Sequence, residues 1–83
     1  MNKTLVEVYV PLLAKTYDMF IPPNIQLFEV LELIKKAVIE LSEGQFMPNR
    51  QTTLCSRDTG TILDINKSAN ELGVKTGAKL MLI

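Results

Sequence analysis

Apolar and polar residues alternate from Thr4 to Val10, with Val6, Val8 and Val10 on one face and Leu5, Glu7 and Tyr9 on the other. A period of two with β-branched residues predicts a strand. Pro11 ends it, because proline has no N–H to give a ladder. The alternation resumes from Lys15 to Ile21, where Tyr17, Met19 and Ile21 oppose Thr16, Asp18 and Phe20. So short a connection predicts an antiparallel hairpin. Pro22 and Pro23 close the second strand.

The period then changes. Leu27, Val30, Leu31, Ile34, Ala37, Val38 and Leu41 fall on one i, i+3, i+4, i+7 stripe, which predicts an amphipathic helix. Glu29, Glu32, Lys36 and Glu40 lie opposite, and Glu32–Lys36 has the favourable i, i+4 orientation. Asn24 is the expected N-cap; the alternative is a start near Gln26, with Glu29 at capping-box spacing. Gly44 is placed to be the left-handed residue that stops the helix.

After a loop containing Pro48, Gln51 to Ser56 reads as a third strand centred on Leu54. Asp58-Thr59-Gly60 is a turn, and Thr61 to Asp64 a short fourth strand. Ser68-Ala69-Asn70-Glu71 has the S-x-x-E form of a capping box, with Gly73 close behind. That predicts a single helical turn with Leu72 pointing inward. Gly77 turns the chain into a last strand, Lys79 to Ile83, with Leu80 and Leu82 on one face. The order β-β-α-β-β-β predicts an α+β fold: a mixed sheet of four to five strands with one helix packed on one face. Residues 1–83 are expected to form a single domain.

Composition narrows the function. Apolar residues make up 47% of the 83, enough for a small core. Nine Lys and Arg balance nine Asp and Glu, so no charge footprint points to nucleic acid or an anionic membrane. No stretch approaches the ~18 apolar residues of a membrane span, and the N-terminal run broken by Glu7 does not read as a signal peptide. The chain has no histidine and one cysteine, Cys55. That removes the usual imidazole base and leaves almost nothing for a structural zinc site. The carboxylates are interspersed with lysines or sit in turns, without an acid–base pair. Cys55 reads as a small sheet residue of ordinary reactivity. No catalytic residue, cofactor or metal is expected, and a reducing, cytoplasmic compartment fits the single cysteine.

Three segments carry a family resemblance: Thr16-Tyr17-Asp18-Met19-Phe20-Ile21-Pro22 leading into the helix, the apolar Leu27–Leu33 run, and Leu72-Gly73-Val74-Lys75-Thr76-Gly77-Ala78-Lys79-Leu80. Over its whole length the chain resembles the ubiquitin-like β-grasp, and within it the YukD family of small bacterial ubiquitin-like proteins. That resemblance implies an accessory, non-enzymatic role in type VII (WXG100, ESX-like) secretion. The implied partners are proteins, including cytoplasmic parts of a membrane-bound secretion machine. Two other classes are weighed beside it: a β-grasp regulatory subunit of an enzyme complex, and a conjugated modifier or sulfur carrier. The last needs a flexible di-glycine tail, whereas Leu80-Met81-Leu82-Ile83 reads as strand and the four glycines fall at turns or caps. Conjugation is therefore not expected. The oligomeric state is left open.

A binding face is legible from strand parity. If the helix covers the face with Val6, Val8, Tyr17, Met19, Leu54, Leu80 and Leu82, the opposite face carries Leu5, Tyr9, Phe20, Cys55, Met81 and Ile83. In β-grasp strand order the first and last strands lie side by side at the centre. These six residues are then expected to form one partner-binding patch, with Glu7, Thr53 and Lys79 among them. Phe28 and Ile39 fall off the helix stripe and are expected to pack under neighbouring loops.

Overall fold

The computed structural model describes residues 3–83. Its elements follow the order β1 (Thr4–Val10), β2 (Lys15–Ile21), α1 (Leu27–Leu41), β3 (Leu54–Ser56) and β4 (Ala78–Leu82). The strands form one sheet in the order β2-β1-β4-β3. β1 pairs antiparallel with β2 and parallel with β4, and β3 pairs antiparallel with β4. This is the expected α+β arrangement, with β1 and β4 at the centre.

The core lies between the helix and one sheet face. Val6, Val8, Val10, Ile21, Leu54, Leu80 and Leu82 face Leu27, Val30, Leu31, Ile34 and Val38 there. Most are fully excluded from solvent, and each buried aliphatic side chain stabilises the fold by roughly 1.5–3 kcal/mol. Tyr17 and Met19 pack against this core at its margin. So does Ile39, whereas Phe28 stays 42% exposed.

Leu41 departs from the expected stripe and is 56% exposed. The helix ends there in a paired reverse turn. Gly44 N–H donates to the Ile39 carbonyl (2.8 Å) and Glu43 N–H to that of Glu40 (3.1 Å), the two bonds of a Schellman motif. Glu43, with φ 55°, takes the first left-handed position and Gly44, with φ 82°, the second. Ser42 is the buried residue instead. Its hydroxyl donates to the Ile39 carbonyl (3.2 Å) and accepts from Phe46 N–H (3.1 Å).

The helix start follows the alternative expectation. Gln26 holds the N-cap position but makes no side-chain cap bond. Leu27 and Phe28 donate instead to the carbonyls of Lys67 and Ile65, each at 2.9 Å. Backbone remote in sequence thus satisfies donors that a helix end leaves open. Asn24 accepts from the Asn70 side chain (3.3 Å). On the solvated helix face Glu32 pairs with Lys35 at 2.9 Å rather than with Lys36.

Two expected strands are shortened. Asn49 to Thr52 fold into a turn in which Asn49 N–H donates to Thr52 Oγ1 (2.9 Å) and Gln51 N–H to Asn49 Oδ1 (2.8 Å). Such local bonds compete with a ladder, so β3 begins only at Leu54. The fourth strand is reduced to one bridge, Cys55–Ile62, held between the Thr59–Thr61 and Asp64–Lys67 turns. The capping box forms as expected: Ser68 N–H donates to Glu71 Oε1 (2.9 Å) and Glu71 N–H to Ser68 Oγ (3.1 Å). Leu72 leans on the core, and Ala69 beneath it is fully buried.

Candidate functional site

The face of the sheet away from the helix is built in rows across the strands. One row runs Thr16, Tyr9, Met81, Cys55, Ile62. The next runs Asp18, Glu7, Lys79 and continues to Arg57, whose N–H donates to the Lys79 carbonyl (2.9 Å). Beyond it Phe20 stands beside Leu5. Thr53 and Ile83 exchange two backbone hydrogen bonds, at 2.8 and 3.0 Å, at the far end.

The structure therefore brings Tyr9, Met81 and Cys55 together and sets Leu5 and Phe20 apart. Leu5 and Tyr9 are four residues, about 13 Å, apart along β1, with the charged row between them. Phe20 is 64% and Ile83 50% exposed, while Leu5, Tyr9 and Met81 are half-buried. Cys55 corrects the expectation of an accessible patch residue, being 1% exposed. Strand parity placed it on this side, but Met81 and Ile62 flank it and its Sγ–H points to the Met81 carbonyl (3.7 Å). Burial pushes its thiol above the ordinary value, opposite to what a nucleophile needs. Arg57 lies over the Tyr9 ring and so covers part of it.

Sequence reasoning missed the loop end of the sheet. Leu12 is 76%, Met47 77% and Ile62 64% exposed. Leu12 and Met47 join Pro11, Phe46, Leu82 and Ile83 around a groove of about 480 Å³. A second groove of about 380 Å³ continues along Asn49, Thr52 and Ile83 to Ile62. The sequence offers only an apolar residue beside a proline in each of two loops, Leu12 after Pro11 and Met47 before Pro48, where polar turn residues are the rule, and no periodicity that would mark them as exposed. Among the described residues no cluster of metal-ligating side chains occurs, and no helix is long and apolar enough to cross a membrane.

No protein-family model matches the chain, and no curated protein matches it. Solved structures do. The ubiquitin-like domain of the Mycobacterium tuberculosis type VII secretion system protein EccD1 aligns with a TM-score of 0.80 at 20% identity, covering 100% of this chain and 99% of that one. The EccD5 ubiquitin-like domain of Mycobacterium xenopi gives 0.71 at 19% identity, over 100% and 94%. Caldiarchaeum subterraneum ubiquitin gives 0.68 at 20% identity, over 99% and 92%. The fold is the ubiquitin-like β-grasp.

Proposed function

We propose that this chain is a non-enzymatic protein-interaction module that serves a type VII secretion system from the cytoplasmic side. One observation carries the proposal: of the eight exposed large apolar side chains among the described residues, Phe20, Ile62 and Ile83 lie on the outer sheet face and Leu12 and Met47 at the loop end of the sheet, against Phe28, Leu33 and Leu41 on α1. Leu12, Met47, Ile62 and Ile83 are each half or more exposed and line two adjoining grooves. Apolar surface gathered in this way marks interaction sites, and exposed Met and aromatic groups supply adaptable contact area. The type VII secretion domains that share the fold support the assignment to that system.

The recognition surface is the half-row Tyr9–Met81 together with Ile83 and the Leu12–Met47 groove. Leu5 and Phe20 form its second, separate contact. Cys55 serves it from beneath. Ile83 is held by two backbone bonds to Thr53, and conjugation is not part of the proposal.

The test is a pull-down from the native cytoplasm with Phe20→Asp, Met47→Asp and Lys36→Asp variants, with melting temperatures alongside. A carboxylate at Phe20 or Met47 stays solvated in the free chain and is desolvated in a complex. Both variants should lose secretion-system partners at nearly unchanged Tm, and Lys36→Asp should retain them. Normal capture by both patch variants would move the recognition surface elsewhere.

A further inference from the structure

The two edges of the sheet are finished differently. At β3 the 61–63 segment closes the edge: Ser56 N–H donates to the Thr61 carbonyl (2.8 Å) and Leu63 N–H to that of Leu54 (3.0 Å). At β2 nothing comparable occurs among the described residues. The direction of its free groups follows from β1. Leu5 N–H donates to Thr76 Oγ1 (3.3 Å) and its carbonyl accepts from Gly77 (2.8 Å), so both groups face β4. Backbone groups alternate sides along a strand. Val6, Val8 and Val10 therefore face β2 and bond their partners Met19, Tyr17 and Lys15. Thr16, Asp18 and Phe20 are left turning their N–H and C=O groups outward, in an unbroken run with two-residue spacing.

We infer that β2 is a docking edge that takes an extended, basic-centred segment of another protein as an antiparallel fifth strand. Three residues, each with a free donor and acceptor, offer the ladder that strand addition requires. Charge selects the occupant. A second copy pairing along all three residues would set Asp18 directly against Asp18 and Thr16 against Phe20, and like charges directly opposite are destabilising. A Lys or Arg opposite Asp18 reverses that sign. Phe20, 64% exposed, favours an aliphatic residue opposite it. On the helix side the half-buried Tyr17 and Met19 favour aliphatic residues, and exposed Lys15 an acidic one. The inference deepens the interaction-module proposal and rests on it, but it concerns the backbone edge rather than the Met47 groove.

The probe is an acetylated, amidated peptide, Ser-Ile-Val-Arg-Val-Thr-Glu-Ser, whose Arg falls opposite Asp18 in antiparallel register. Its twin carries Glu for Arg. Titration into ¹⁵N-labelled protein should shift amides along β2 and slow exchange at Thr16, Asp18 and Phe20, leaving Tyr17 and Met19, already protected, unchanged. The Arg peptide should bind about three- to fivefold tighter than its twin, and Asp18→Lys should invert that preference. Asp18→Pro removes one outward N–H without touching a β1–β2 bond. It should weaken both peptides about tenfold or more while Tyr17 and Met19 stay protected. Shifts confined to the Leu12–Met47 groove, self-association of the free chain through β2, or no binding of either peptide at about 1 mM would each overturn the inference. The interaction-module proposal fails on a different result, normal partner capture by Phe20→Asp and Met47→Asp.

Discussion

The guanidinium carbon of Arg57 stands 4.1 Å from the centre of the Tyr9 ring. The two residues lie 48 positions apart, and their contact spans β4. A cation over an aromatic face contributes about 0.5–1 kcal/mol at an exposed site. Arg57→Ala should therefore lower stability by about that much, read as a shift in urea midpoint. It should also raise iodide quenching of tyrosine fluorescence as Tyr9 is uncovered. An unchanged midpoint and unchanged quenching would mean that the pair does not persist in solution.

Ile34 and Leu41 share a stripe in sequence but not an environment. Ile34 is 1% and Leu41 56% exposed. Ile34→Ala opens a cavity in a small core and should cost about 2–5 kcal/mol. Leu41→Ala should stay within about 0.5 kcal/mol of the parent. Equal losses in chemical denaturation would place the end of α1 against the core after all.

The hydroxyl of Tyr17 is buried and has no hydrogen-bond partner among the described residues. A desolvated, unsatisfied polar group costs about 1–3 kcal/mol. Tyr17→Phe should consequently be neutral or stabilising, up to about 1 kcal/mol, with β2 amide shifts otherwise retained. A clear loss of stability would show that the hydroxyl has found a bond.

Burial raises the Cys55 thiol above its ordinary value, so the folded chain holds that proton to higher pH than the unfolded chain. Where the unfolded thiol has ionised and the folded one has not, the unfolded state binds fewer protons, and stability falls as pH rises. The decline should begin at the ordinary thiol value and level off above the folded one. Cys55→Ala should lack it. Native Cys55 should also react with a disulfide reagent far more slowly at pH 8 than in denaturant. Equal rates would mean an accessible thiol.

Much of this fold was legible because its signals are local. Val6, Val8 and Val10 announce one strand face by period two, and Ser68 with Glu71 announces a reciprocal cap within four residues. What was not legible depends on distant chain. Parity gives Cys55 its side of the sheet but cannot reveal that Met81 and Ile62 flank it. The helical stripe reaches Leu41 on paper, yet the Ser42–Phe46 bond decides where the chain leaves the helix. Asn24 is the better cap by residue type, but the Ile65 and Lys67 carbonyls arrive from elsewhere and take over its role. Leu12 and Met47 lie in loops without periodicity, so only their exposure in three dimensions draws them into the site.

The parallel pairing of β1 with β4 also sets the tempo of folding. All the other elements lie between β1 and β4 in chain order, so the second neighbour of β1 is missing until the rest of the sheet and the helix have been made. The β1–β2 hairpin and α1 can form early as local structure, but Val6 and Val8 keep an open flank until Ala78–Leu82 slots between β1 and β3. Loop closure over more than 60 residues precedes that step, and contacts so far apart in sequence slow folding. Until then the hairpin exposes unpaired backbone on both sides, which leaves it open to wrong strand partners.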